Sequence, residues 1–187
     1  DTTSLTARLG PGLRGPEAEA ALNQRGYTLG HFPQSYRYAT IGGFAATRSA
    51  GQASSGYGRF DALVSGVELT APIGAMRTLR SPHTAAGPAL RELVLGSEGT
   101  LGVITDVETR IRPLPAQRHY EGWFTADFDS GIDVIRELAQ SGELPDVARL
   151  SDRRETEISL ATSGLAGPPP AGHERDGHVG GVQQLGR

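Results

Sequence analysis

A glycine-rich segment, residues 96–102, constrains this chain more than any other stretch, because it separates two apolar runs. Residues 93–95 lead into it, and a β-rich run over residues 103–111 follows it. The segment holds three glycines, one serine, one threonine and one carboxylate. Glycine lets the backbone approach a ligand closely, and consecutive N–H groups in such a turn can bind anions or carbonyl oxygens. The pattern fits a ligand-binding loop or a tight turn between a helix and a strand, and spacing alone leaves both open.

The composition of the chain excludes several classes of protein. Of its 187 residues, 37% are hydrophobic and 21% are charged, and no apolar run approaches the roughly 20 residues that a transmembrane helix requires. The net charge of -3 gives no reason to expect nucleic acid as a partner. The absence of cysteine excludes disulfides and thiolate chemistry. The five histidines lack the spacing of metal ligands on a helix, so we expect no metal site.

Periodicity predicts a mixture of strands and helices in the first part of the chain. Strands are predicted at residues 4–9, 63–70, 76–79 and 103–111, and the second and third form a hairpin across a turn at residues 72–75. Helices are predicted from Pro16 to Gly26, over residues 40–47 and over residues 88–95, with loops at residues 30–38 and 49–59.

Two of these helices carry more detailed expectations. In the first helix, Ala18, Ala21 and Leu22 form the apolar stripe, and Glu19 suits the positive end of the helix dipole. In the second helix, Thr40 is the expected N-cap, and the helix N-terminus is predicted to face a ligand.

The pattern changes after a stiff, proline-containing link at residues 112–115. A strand at residues 120–126, a helix capped by Asp129 or Ser130 and ended by Gly142, a strand at residues 147–150 and a partial helix at residues 155–161 follow. From residue 163 the sequence is rich in glycine, proline and charge, which predicts a disordered tail. The expected organisation is therefore a domain at residues 1–114, the start of a second at 115–162, and a tail at 163–187.

Five segments occur in an order that resembles a known family. They are His31-Phe32-Pro33-Gln34-Ser35, Ala39-Thr40-Ile41-Gly42-Gly43, Thr47-Arg48-Ser49-Ala50-Gly51, Tyr57-Gly58 and residues 96–105. This order resembles the PCMH-type FAD-binding domain of the vanillyl-alcohol-oxidase family, in the branch of the alkyl-dihydroxyacetone-phosphate synthases and bacterial FAD-linked oxidases. The resemblance implies an α+β fold: the second part of the FAD-binding domain, then the start of a ferredoxin-like β-α-β substrate (cap) domain.

The resemblance also implies FAD as the cofactor and a set of residues that line it. This set is Gln34, Ser35, Tyr36, Arg37, Tyr38, Ala39, Thr40, Gly42, Gly43, Thr47, Arg48, Ser49, Ala50, Glu98, Gly99, Thr100, Leu101, Gly102, Val103 and Ile104. The stretch from Glu98 to Ile104 would meet the nucleotide half of FAD. Arg48 would place its charge near the flavin or a phosphate, or alternatively form an ion pair at the surface or at a domain interface.

The implied activity is that of a flavin-dependent oxidoreductase or an alkyl-glycerone-phosphate synthase-like enzyme. Its substrate would be a small molecule, such as a 2-hydroxy acid or a lipid-linked glycerone phosphate, and the full-length protein would be a homodimer. We expect a cytoplasmic location, because the sequence shows no signal-peptide pattern. No catalytic residue of the family has a counterpart here, its pyrophosphate-binding loop is absent, and His83 stands where the synthase has an arginine. The alternative is a truncated, non-catalytic fragment that does not retain FAD by itself.

Overall fold

The computed structural model describes residues 1–81, 85–118, 120–143, 145–162 and 180–185, the last six by their backbone alone. Two compact units are present, Asp1–Pro115 and Ala116–Arg187. The division falls one residue beyond the predicted boundary at residue 114. His83, whose identity bears on the synthase-like activity, lies outside the described residues.

The first unit contains short helices around a small antiparallel sheet. Its elements are β1 (Thr6–Leu9), α1 (Gly15–Asn23), β2 (Tyr27–Thr28), α2 (Ile41–Ala46), α3 (Ser54–Tyr57), α4 (Phe60–Leu63), β3 (Val64–Ala71), β4 (Gly74–Arg77), α5 (Leu90–Val94), β5 (Val103–Arg110) and β6 (Arg112–Pro113). The strand order in the sheet is β1-β5-β3-β4, and β2 pairs separately with β6. The predicted hairpin is confirmed as β3–β4, with Ala71 opposite Gly74.

The hydrophobic core of this unit lies between the sheet and the helices. Ile41, Phe44, Phe60, Val94 and Val107 are among its most completely buried side chains. They come from α2, α4, α5 and β5. The two elements that flank the glycine-rich segment, α5 and β5, therefore share one buried cluster with the rest of the unit.

The buried face of α1 differs from the predicted stripe. Ala18 and Leu22 are buried as predicted, but Ala21 is exposed and Glu19 is 3% exposed. The Glu19 carboxylate accepts hydrogen bonds from the Thr28 hydroxyl at 2.8 Å and from the backbone N–H of Leu29 at 2.8 Å. Because a buried carboxylate is costly unless hydrogen-bonded, these donors let Glu19 occupy the inner face of the helix.

The second unit is a three-stranded sheet with two helices. Its elements are β7 (Tyr120–Thr125), α6 (Phe128–Ser141), β8 (Val147–Ser151), α7 (Arg153–Thr162) and β9 (Gly180–Leu185). The strand order is β7-β9-β8, and β9 is antiparallel to both neighbours. The strands β7 and β8 are therefore parallel with one strand between them, which is the split β-α-β arrangement of ferredoxin-like folds.

One expectation for this unit is corrected. The N-cap of α6 is Asp127, whose carboxylate accepts from the Ser130 N–H at 2.7 Å; neither Asp129 nor Ser130 is the cap. Within the segment predicted to be a disordered tail, the backbone of β9 pairs with a strand on each side. Backbone pairing orders a strand without the large apolar side chains whose scarcity suggested disorder. Residues 163–179 and 186–187 of that predicted tail lie outside the described residues.

Candidate functional site

The glycine-rich segment packs against α2 and leaves a groove of about 500 Å³ between them. The backbone N–H of Gly96 donates to Ala45 O at 3.0 Å, and that of Glu98 donates to Ala46 O at 3.0 Å. These bonds pair the last two carbonyls of α2, of which Ala45 O also accepts from the Arg48 N–H at 3.4 Å. The groove is lined by Pro11, Gly12, Thr40, Gly42, Gly43, Ala46, Glu98, Gly99, Gly102, Val103 and Ile104.

The glycines of this groove serve two different purposes. A Cβ at Gly42 would lie 2.8 Å from Pro11 Cβ, and one at Gly102 would lie 2.6 Å from Thr70 O, so both are required for packing. A Cβ at Gly12 or Gly99 would meet no atom within 4 Å. These two positions leave bare backbone facing open space, as close approach of a ligand to the main chain requires.

The first turn of α2 borders the groove but has few free donors. Thr40 is the N-cap, as predicted, and its Oγ1 accepts from the Gly43 N–H at 3.2 Å. The N–H groups of Ile41 and Gly42 donate to Leu13 O and Pro11 O at 2.8 and 2.9 Å. The helix therefore offers a ligand a glycine surface, and its first-turn amides are already used by the protein.

The free donors of the site lie in the glycine-rich segment. Within the described part of the chain, the N–H groups of Gly99 and Leu101 donate to no protein acceptor. Glu98, which directly precedes Gly99, has φ +49°. This left-handed conformation is unusual for a residue with a side chain. The segment therefore adopts a strained turn in which backbone donors and one carboxylate face outward.

The charge on the groove restricts what it can bind. Glu98 is the one charged residue among the described lining residues. A carboxylate repels phosphate but accepts hydrogen bonds from hydroxyl and amino groups. The groove therefore suits an uncharged group that carries such donors, and it has no cation to neutralise a phosphate.

Arg48 does not line the groove, because its guanidinium binds groups of the protein. Nη1 lies 3.0 Å from Asp61 Oδ2 and 3.1 Å from Glu92 Oε2, and Nε donates to Leu95 O at 2.9 Å. Burial disfavours the charged form of Asp61, but the hydrogen bonds and charges of Arg59 and Arg48 outweigh it, so the pKa of Asp61 lies below its ordinary value. The ion pairs of Arg48 with Asp61 and Glu92 lie inside the first unit.

Several other predicted cofactor residues also lie outside the lining set, namely Gln34, Ser35, Tyr36, Arg37, Tyr38, Ala39, Thr47, Ser49, Ala50, Thr100 and Leu101. Thr47 and Thr100 use their hydroxyls locally, on Gly43 O and Ser97 O. Sequence analysis in turn missed Pro11, Gly12 and Ala46. The run Gly10-Pro11-Gly12 was predicted only to end a strand. Its two glycines were the one indication in the sequence that its backbone could line a groove.

Ser49 connects the predicted flavin-lining segment to a buried histidine. His31 is 2% exposed, lies between the rings of Phe44 and Phe60 at 4.9 and 5.1 Å, and places Nε2 3.1 Å from Ser49 Oγ. Burial lowers the pKa of His31 from 6.5 to about 4. The imidazole is therefore neutral at physiological pH and belongs to the core behind the groove.

The described residues lack two features that would bear on the site. No group of three histidine, aspartate or glutamate side chains is arranged to hold a metal ion in this part of the chain. No helix in the same residues is both long and apolar enough to cross a bilayer.

Comparison with known proteins shows what this arrangement is similar to. Residues 1–80 match the FAD binding domain family. The alkyldihydroxyacetonephosphate synthase of Caenorhabditis elegans is 35% identical over 153 residues, which are 81% of this chain and 26% of that protein. An uncharacterized FAD-linked oxidoreductase of Escherichia coli is 38% identical over 139 residues, 73% of this chain and 29% of its own length.

A solved structure supports the same relationship. An alkyldihydroxyacetonephosphate synthase superimposes on this chain with a TM-score of 0.85 at 26% identity, covering 100% of this chain and 36% of that one. The chain spans about a quarter of the length of the curated synthases that it matches. These matches confirm the predicted α+β fold with a PCMH-type domain and the prediction of FAD as cofactor, while the cap-domain assignment of the second unit stays a prediction.

Residues 1–80 thus match the FAD binding domain family, and most of the chain's length is similar to alkyldihydroxyacetonephosphate synthases and FAD-linked oxidoreductases.

Proposed function

We propose that the groove between α2 and the glycine-rich segment holds the adenosine part of FAD. The observation that carries this proposal is the lining: bare backbone at Gly12 and Gly99, with Glu98 as the one charge among the described lining residues. Adenosine is uncharged and has a flat base, and it carries an amino group and ribose hydroxyls that can donate hydrogen bonds to a carboxylate. The pyrophosphate of FAD would need cationic or amide partners beyond this groove.

Each part of the groove has a role in this arrangement. Glu98 accepts a hydrogen bond from a ribose hydroxyl or from the adenine amino group. The N–H group of Gly99 donates to a ring nitrogen or a ribose oxygen, and the glycine surface of α2 packs against the base. FAD supplies the redox chemistry when bound, and these residues bind and orient its nucleotide half.

The activity of the whole protein follows from the same relationship. The names of the relatives support a flavin-dependent oxidoreductase or an alkyldihydroxyacetonephosphate synthase-like enzyme. We propose a small-molecule substrate for it, of the 2-hydroxy acid or lipid-linked glycerone phosphate class. A homodimer and a cytoplasmic location for the full-length protein also stay proposals.

Filling the groove tests the proposal directly. Gly12 has ordinary backbone dihedrals and open space around its Cβ position, so Gly12→Val should place a branched side chain in the groove without disturbing the fold. We expect the dissociation constants for FAD and ADP, measured by isothermal titration calorimetry, to rise by about tenfold or more through steric exclusion. Flavin absorbance of the purified, desalted chain gives an independent measure of retained cofactor.

A matched control lies two residues away. Gly10 also has open space around its Cβ position and does not line the groove, so Gly10→Val should leave both dissociation constants unchanged. Equal effects of the two substitutions would contradict the location of the site. A wild-type chain that binds neither FAD nor ADP would contradict the proposed function and favour the alternative of a fragment that does not retain the cofactor.

A further inference from the structure

We propose that Arg48 is a positioning residue that holds the glycine-rich segment in the conformation that forms the groove. The effect of Arg48 on FAD binding rests on the proposed function above, but its role in holding the glycine-rich segment does not. The guanidinium of Arg48 contacts Asp61, Glu92 and Leu95. None of these three residues is among the described lining residues of the groove.

The guanidinium joins elements that are far apart in the sequence. Nη2 donates to Glu92 O at 2.8 Å and Nε donates to Leu95 O at 2.9 Å, so Arg48 binds two carbonyls at the end of α5. The final carbonyls of a helix lack partners within the helix, and a cation there also interacts favourably with the helix dipole. Nη1 meanwhile contacts Asp61 in α4 and the Glu92 carboxylate. One planar group thus fixes the end of α5 to α2 and α4.

The first residue of the glycine-rich segment, Gly96, lies against the Arg48 side chain. Gly96 has φ +79°, and a Cβ there would lie 2.8 Å from Arg48 Nε. From Gly96 the backbone continues through the two hydrogen bonds to Ala45 O and Ala46 O, and then reaches Gly99 in the groove. The position of Leu95 relative to α2, which Arg48 sets, therefore determines where the lining residues begin.

The backbone of Arg48 indicates that these contacts outweigh a local cost. Its φ is +48°, in the left-handed region that residues with side chains rarely adopt. Such a conformation persists where surrounding interactions over-determine it. Asp61 is 7% exposed and binds both Arg48 and Arg59. Its carboxylate is therefore a fixed anion that orients the guanidinium of Arg48.

Substitution by glycine separates the positioning role from backbone strain. Arg48→Gly removes the guanidinium but keeps a residue that adopts positive φ freely. We expect the amide hydrogen exchange of Gly96 and Glu98, measured by NMR, to accelerate by about tenfold or more while amides of β3 and β5 keep their rates. Arg48→Lys should show the same local change, because one ammonium cannot replace a guanidinium that donates from three nitrogens. It also serves as the second variant if the glycine variant fails to fold.

Arg59→Ala is the matched control, because Arg59 binds the same Asp61 carboxylate but has no contact with α5 among its described hydrogen bonds. It should leave exchange at Gly96 and Glu98 unchanged. Unchanged exchange in both Arg48 variants would overturn the proposal, and so would an equal rise across β3 and β5, which would indicate a purely global role.

Ligand binding separates this proposal from the proposed function. If the groove holds adenosine, both Arg48 variants should weaken ADP binding and leave riboflavin binding unchanged. If the wild-type chain binds no ADP, the function proposed for the groove fails, while local acceleration of exchange would still support the positioning role of Arg48.

Discussion

At the scale of single residues, burial of polar side chains determines much of this site. Glu19, His31 and Asp61 are each below 9% exposed. Each has specific partners: backbone and hydroxyl donors for Glu19, a hydroxyl and two rings for His31, and two arginines for Asp61. Because an unsatisfied buried polar group costs free energy, these partners fix the three side chains within the first unit.

The buried imidazole of His31 makes stability depend on pH. Its pKa in the folded state is about 4, below the ordinary 6.5, so between these values the unfolded chain binds more protons. Stability from this group is complete above pH 6.5 and is lost as pH falls towards 4. We expect the free energy of unfolding, measured in urea, to fall by about 2 kcal/mol between pH 7 and pH 5. Asp61, whose pKa is lowered, adds a further loss only at lower pH.

A substitution isolates the contribution of His31. His31→Gln keeps a hydrogen-bonding side chain near Ser49 but does not titrate, so its unfolding free energy should vary less between pH 7 and pH 5. Parallel pH dependences in the two proteins would contradict this assignment.

At the scale of elements, helix ends decide where the functional backbone lies. Thr40 begins α2, and the glycine-rich segment supplies donors to its last carbonyls. The small residues and the Thr40 cap predicted this helix, but no pattern predicted α3, which lies in a stretch expected to be a loop. A helix of one turn has no apolar period to detect, and neighbouring contacts stabilise it.

The cap of α6 provides a test at this scale. Asp127→Ala removes the hydrogen bond to the Ser130 N–H and should cost about 1 kcal/mol. Asp129→Ala, at the position that periodicity suggested for the cap, should cost only a few tenths of a kcal/mol through the helix dipole. The fluorescence of Trp123, the single tryptophan, follows urea unfolding of this unit. Equal losses would show that Asp127 is not the functional cap.

At the scale of the whole molecule, the two units differ in how they are stabilised. The described hydrophobic cluster runs from Leu9 to Ile111 and lies entirely in the first unit. In the second unit, Val147 is a buried hydrophobic residue while Trp123 is 60% exposed. The groove also belongs to the first unit alone.

This difference predicts that the first unit folds independently. A chain that ends at Pro115 retains the whole described cluster and should unfold cooperatively, as measured by far-ultraviolet circular dichroism in urea. A chain that ends at Leu95 lacks β5, the strand that pairs with both β1 and β3, and serves as the control without cooperative unfolding. A broad, non-cooperative transition for the chain ending at Pro115 would contradict the prediction.

The sequence by itself determined the strands of the main sheet, the Thr40 cap, the glycine-rich segment and the FAD family, because periodicity, capping and motif order are local properties of the chain. The tertiary structure decided which face of α1 is buried, that Pro11 and Gly12 form a wall of the groove, and where the guanidinium of Arg48 lies. The partners of Arg48 in Asp61, Glu92 and Leu95 are 13, 44 and 47 residues away in the sequence. Contacts over such separations depend on which surfaces meet when the core forms, and no local pattern encodes that choice.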